Sequence, residues 1–136
     1  MGRGLAMGDI DNKGALWLVL TGIGEPARVL RNVAPNRGAW LGLRVIDPRY
    51  KRDALGAEVT VQASARRWVR TVHSGGSYLC SNDPRAHFGL GAADRVDRVE
   101  VRWPDGLVEE FLGGPVSCYR TLERGRGKAV PKERVP

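Results

Sequence analysis

Cysteine is scarce in this chain: Cys80 and Cys118 are the only two in 136 residues. Two cysteines allow one disulfide at most, which excludes the dense disulfide framework of a small secreted scaffold. They do not have C-x-x-C spacing, so the zinc and thioredoxin signatures are also missing. The expected state is a pair of unbridged, buried thiols. No run of 18 apolar residues occurs, and no helical membrane span is expected. The opening MGRGLAMGDIDNKG holds no apolar segment of signal-peptide length. A glycine period of three is absent as well, which excludes collagen.

What is present points to strands. Hydrophobic residues make up 42% of the chain, enough for a core, and 18 glycines and 8 prolines punctuate short apolar runs. That pattern favours an all-β chain. The formal charge of +7 raises nucleic acid or an acidic polymer as partner. Position weakens the first of these. Arg124, Arg126, Lys128, Lys132 and Arg134 stand against Glu133, so five minus one, or +4, lies between residue 124 and the end. This glycine- and proline-bearing tail, 124–136, reads as disordered. The body keeps only +3, and no nucleic acid is expected.

Residues 1–35 form a first unit. Apolar runs at Gly4–Met7, Leu16–Leu20 and Ala27–Leu30 read as three short strands, with Asp9-Ile10-Asp11-Asn12-Lys13-Gly14 as an acidic, glycine-closed loop after the first,. Residues 36–123 form a second unit. Strands are expected at Ala39–Ile46, Ala57–Ala63, Arg66–His73, Val96–Trp103, Leu107–Leu112 and Cys118–Leu122, with turns at Ala65-Arg66 and Pro104-Asp105-Gly106,. Alternation directs Ala57, Val59, Val61, Ala63, Val99, Val101 and Trp103 inward. Six short strands with one polar face each suggest an antiparallel β-sandwich or open barrel.

The first unit resembles an FG-GAP (VCBS-type) repeat, whose loop reads D-x-D-x-D-G-x-x-D and often binds calcium through alternate carboxylates. The resemblance implies a partial β-propeller blade whose other blades lie upstream in a parent protein. Asp9 and Asp11 match the first two ligand positions. Lys13 stands at the third and Trp17 at the last, which opposes a metal. The alternative is that the Lys13 ammonium neutralises Asp9 and Asp11 in place of the ion. No other cofactor is expected.

Three motifs of the second unit are more specific. Arg52-Asp53-Ala54-Leu55-Gly56-Ala57-Glu58-Val59, the long run from Ser74 to Gly91, and Val99-Glu100-Val101-Arg102-Trp103-Pro104-Asp105-Gly106 occur in that order. Together they resemble the ASPIC/UnbV domain of the cartilage acidic protein-like family, over about residues 39–123. Asp53, Gly56, Ser77, Asp83, Gly89 and Trp103 carry the match. The resemblance implies a non-catalytic binding or adhesion module, secreted or at the cell envelope, following FG-GAP repeats in a larger protein. Its partner would be a protein or an acidic polysaccharide. An accessory role in a biosynthetic enzyme system, such as an enediyne cluster, is the alternative the family raises.

Ser77, His73 and Asp83 are the types of a hydrolase triad, but Gly75-Gly76-Ser77 lacks the G-x-S-x-G elbow, and a turn is expected there. His73, His87 and Asp83 lack metal-binding spacing; His87 should pack beside Phe88 and bond locally. Trp40, Trp68 and Trp103 could form a carbohydrate platform, although Trp68 and Trp103 share phase with inward valines. Arg66, Arg67, Arg70, Arg98 and Arg102 could make a basic face for anionic polymers, or a solvated face paired with Glu58 and Glu100. Asp53 is expected to be structural.

Overall fold

The computed structural model describes residues 1–131, and its secondary structure there is all strand and turn. Three strands form the first unit: β1 (Gly2–Gly8), β2 (Trp17–Gly22) and β3 (Glu25–Leu30), in the antiparallel order β1-β2-β3. Each overlaps one of the expected apolar runs, β2 starting one residue late at Trp17. None of these strands contributes to the main hydrophobic cluster.

The second unit has two sheets around one core. The first sheet has the order β12-β10-β9-β6-β7, from β6 (Glu58–Ala63), β7 (Arg66–Thr71), β9 (Arg95–Arg102), β10 (Val108–Pro115) and β12 (Lys128–Ala129). The second is built on β4 (Ala39–Asp47). β11 (Cys118–Glu123) lies on one edge of β4, while β5 (Arg52–Asp53) and β8 (Ala86–Gly91) share the other. Neither sheet closes into a barrel. Period-two alternation sends Leu41, Leu43 and Val45 of β4, Val59 and Val61 of β6, Phe88 of β8 and Val99 and Val101 of β9 into the core, all 0–1% exposed,. Trp103 closes it at 1%.

Four expectations need correction. β11 runs parallel to β4, pairing Tyr119 with Gly42, so the sandwich is not wholly antiparallel. A parallel partner requires a crossover, and the chain between β4 and β11 supplies it by passing through the other sheet. The β6–β7 turn sits at Ser64-Ala65, both with positive φ (48° and 61°), the conformation of a tight hairpin turn. β8, within the longest motif, was not foreseen as a strand because its apolar residues are short and broken by glycines.

The tail is the fourth. Residues 124–130 are not a disordered extension. Arg124 pairs with Asp47 and Asp105, and the Gly125 N–H donates to the buried Glu109 carboxylate at 3.0 Å. β12 then adds to β10, with the Val130 N–H donating to the Val108 carbonyl at 2.9 Å. Composition pointed to disorder, but a buried carboxylate and an open strand edge recruit the segment. Residues 132–136 of the expected tail lie outside the described residues.

Candidate functional site: a clamp on the first unit

The outward face of the second sheet is where the two units meet. Trp40 and Gly42 of β4, His87 of β8 and Tyr119 of β11 point away from the core because their neighbours at one-residue spacing point into it. Trp40 and His87 stack with planes 4° apart, and Tyr119 meets Trp40 edge-on at 5.0 Å between centroids. The absence of a Cβ at Gly42 lets the Tyr119 ring lie flat on the sheet, since an added Cβ would fall 2.0 Å from it.

The Asp9–Gly14 loop of the first unit sits on this platform. Asp9 is 3% exposed. Its carboxylate accepts the Lys13 and Gly14 backbone N–H groups at 3.1 and 2.6 Å and the Tyr119 hydroxyl at 2.5 Å. The Gly14 carbonyl accepts from His87 Nε2 at 3.0 Å; a carbonyl has no proton, so Nε2 carries one. Gly14 has φ +80°, and an added Cβ would strike the Trp40 ring at 2.1 Å.

Arg85 fastens the loop from the side. Its Nε and Nη2 pair with Asp83, its Nη1 donates to Asn12 Oδ1 at 2.7 Å, and its Nη2 donates to the Asp9 carbonyl at 3.3 Å. The guanidinium lies 4.1 Å from the Tyr119 ring centre, a cation–π distance. The turn before it covers the free edge of β1. Ser77 Oγ accepts the Leu5 N–H at 3.0 Å, Asn82 Oδ1 accepts the Met7 N–H at 2.8 Å, and the Asp83 N–H donates to the Met7 carbonyl at 3.3 Å. Unpaired edge groups of β1 are thereby satisfied by two side chains and one backbone N–H of the turn rather than by another strand. Cys80 packs its sulfur where a Cβ of Gly4 would be.

Electrostatics follow from this packing. Burial pushes the Asp9 carboxyl up, but the Tyr119 hydroxyl and the two backbone N–H groups outweigh it and hold Asp9 below the ordinary carboxylate value,. Burial, then the bond to Asp9, pushes the Tyr119 phenol up, so it remains a donor. Burial lowers His87, which keeps the imidazole neutral. The ion pair with Asp83 raises Arg85.

A calcium ion does not fit the loop. Both Asp9 oxygens are taken by N–H and O–H donors, and the Arg85 guanidinium lies beside them. Asp11 keeps one buried oxygen without a partner, but one oxygen falls far short of the six or more that calcium takes. Among the described residues, no group of three His, Cys, Asp or Glu gathers in metal-binding geometry. The Lys13 ammonium does not neutralise Asp9 or Asp11 through any ion pair among the described residues; Lys13 contributes its backbone N–H, and the nearby cation is Arg85. Trp17 is half-buried, with Arg31 5.5 Å over its ring.

The remaining candidates separate. Ser77, His73 and Asp83 each have other partners: His73 Nδ1 bonds the Gly75 carbonyl at 2.7 Å, Ser77 takes the Leu5 N–H, and Asp83 holds Arg85. The five arginines divide between faces. Arg67, Arg98 and Arg102 lie on the outer face of the first sheet, in register with Gln62 and Glu58 of β6. Arg66 and Arg70 share phase with Trp68 and Val72 and point the other way. The outer three are balanced by Glu58, Glu100 and Glu110, and Arg98 pairs with Glu110 at 3.3 Å. Trp103 is core, and Trp40 and Trp68 are half-buried, so no exposed tryptophan platform exists among the described residues. Asp53 pairs with Arg44 at 2.9 Å, Gly56 takes φ +89°, and Gly89 pairs with Trp40. Cys80 and Cys118 are unbridged and half-buried. Sequence reasoning missed Arg85, Tyr119 and the long reach of His87. The D-P-R-x-H spacing was visible, but its partner 73 residues upstream was not.

Comparison with known proteins agrees with the motifs. The family model described as ASPIC and UnbV matches residues 47–129. Cartilage acidic protein 1 of Xenopus tropicalis is 37% identical over 113 residues, covering 79% of this chain and 17% of that protein. The Homo sapiens protein of the same name is 36% identical over 112 residues, covering 79% and 16%. The chain thus spans about a sixth of the length of these relatives. With the matched region taking in most of both sheets and more than half of the chain, the protein belongs to the ASPIC and UnbV family.

Proposed function

We propose that the chain is a non-enzymatic, extracellular binding module in which the sandwich clamps a preceding β-sheet unit of propeller-blade type. One observation carries this reading. Five polar side chains of the longest motif, Ser77, Asn82, Asp83, Arg85 and His87, engage the first unit or the group that does. A catalytic motif would leave its nucleophile and base open to substrate; here both are held in backbone contacts. The extracellular assignment leans on the likeness to cartilage acidic protein 1. The blade assignment leans on the three-stranded antiparallel sheet and its Asp9–Gly14 loop. A module that fastens a neighbouring unit suits the end of a larger binding protein.

Amide hydrogen exchange tests it. The Leu5 and Met7 N–H groups lie on a sheet edge, and only the clamp protects them. In the intact chain they should exchange slowly, and Arg85→Ala should release them while the Val59 and Val101 amides stay protected. The variant should weaken docking of the first unit by about 2 kcal/mol. Fast exchange at Leu5 and Met7 in the unmodified chain would sink the reading.

A further inference from the structure

The first and third sequence motifs take no part in the clamp. β4 runs from the clamp platform at Trp40 to Asp47, and the Pro48–Lys51 turn returns the chain into β5. Beyond that end, Arg52–Leu55 and the Pro104-Asp105 turn border a cleft of about 360 Å³.

Arg124 builds the cleft. Its side chain is 13% exposed, lies 5.5 Å over the Trp103 ring, and bridges Asp105 to Asp47. Asp47 also takes Arg49 at 2.7 Å, and Asp53 takes Arg44 at 2.9 Å. Every carboxylate at the cleft therefore has its own guanidinium. Arg52 differs. Among the described residues it has no ion-pair partner, and its guanidinium rests 5.4 Å from the centre of the exposed Tyr50 ring. Arg44, Arg49, Lys51, Arg52 and Arg124 stand against Asp47, Asp53 and Asp105, five minus three, so this end carries a surplus of two positive charges. Tyr50 at 62% and Leu55 at 51% exposure add apolar surface next to Arg52.

We infer that this cleft binds an acidic peptide segment, holding a Glu or Asp carboxylate on Arg52 and the neighbouring apolar side chain between Tyr50, Leu55 and Pro104. Charge complementarity selects the occupant. A single unpaired guanidinium matches a monoanion, and the exposed Tyr50 and Leu55 beside it offer apolar contact to a peptide side chain that an inorganic anion does not have. The volume suits two side chains rather than a folded surface. The inference goes beyond the clamp and does not depend on it.

The probe is the capped peptide acetyl-Glu-Leu-Glu-Leu-amide, titrated into the isotope-labelled intact chain and followed by amide chemical shifts. Shifts confined to residues 47–56 and 103–106 are expected. Affinity should fall roughly tenfold in Arg52→Gln, the loss of one charge-assisted contact, and similarly when the peptide's glutamates become glutamines. Arg52 is exposed, and the spectrum of the variant reports its fold directly. Arg85→Ala, which addresses the clamp, should leave the titration unchanged. No shifts up to millimolar peptide, shifts on the Arg67–Arg98–Arg102 face, or an Arg52→Gln titration equal to the unmodified chain would each overturn the inference. Inorganic phosphate moving the same amides more strongly than the peptide would overturn the carboxylate assignment.

Discussion

Asp9 shows how one residue's surroundings decide its chemistry. In the sequence it matches the first ligand position of a calcium loop that Lys13 and Trp17 interrupt; in the fold, it is a buried acceptor for Tyr119 and two backbone N–H groups. Millimolar calcium should therefore leave the melting temperature of the chain where excess chelator leaves it, because only an ion that binds the folded state raises it. A calcium-dependent rise abolished by Asp9→Ala would contradict the donor arrangement. Acid should act on the same residue. His87 and Asp9 both have lowered pKa values in the fold, so the unfolded chain binds more protons and stability rises with pH. Each contribution is full above the ordinary value, about 6.5 for histidine and about 4 for aspartate. It is lost as pH falls through the lowered one. Tyr119→Phe removes one of the donors that lower Asp9. It should cost about 1 kcal/mol and move the acid limb to higher pH, measured by thermal unfolding across a pH series.

At the scale of elements, β4 organises the molecule. Its inward residues anchor the core, and its outward Trp40 and Gly42 carry the clamp. Gly42→Ala tests that second use: the methyl would sit 2.0 Å from the Tyr119 ring. Overpacking of this kind costs about 1–3 kcal/mol, and differential exchange should show the loss at Leu5 and Met7 before the core strands. Strand existence was legible throughout β4, β6, β7, β9, β10 and β11, because alternation with one buried face is a local signal. β8 and β12 were not. β8 is six residues with two glycines, and β12 is a two-residue strand in a basic, glycine-rich segment. Both exist because a neighbouring strand offers unpaired backbone groups, which no local pattern records.

At the scale of the whole molecule, two ends of one sheet carry different work. One end fastens the first unit; the other holds the Arg124 cleft. Arg124→Ala should destabilise the sandwich by about 1–2 kcal/mol, since Asp105 loses its ion-pair partner while Asp47 keeps Arg49. Thermal unfolding with amide exchange at β12 should show that segment loosening first. An unchanged melting temperature would mean that the bridge contributes nothing beyond its exposed half. The five arginines illustrate the limit of counting charge along a chain. Arg66 and Arg70 fall on the opposite face from Arg67, and three glutamates balance the rest.

The chain's own order of residues was enough for fold class, for the inward valines and Trp103, and for the three motifs that mark the family. These depend on periodicity and short spacing, and both are properties of neighbouring residues. Tertiary structure alone decided what the motifs touch. Tyr119 reaches Asp9 across 110 positions and Arg85 reaches Asn12 across 73. Such pairings depend on a parallel strand crossover and on which face of β4 a glycine leaves open. A carboxylate becomes a metal ligand or a hydrogen-bond acceptor according to the donors that the fold delivers to it.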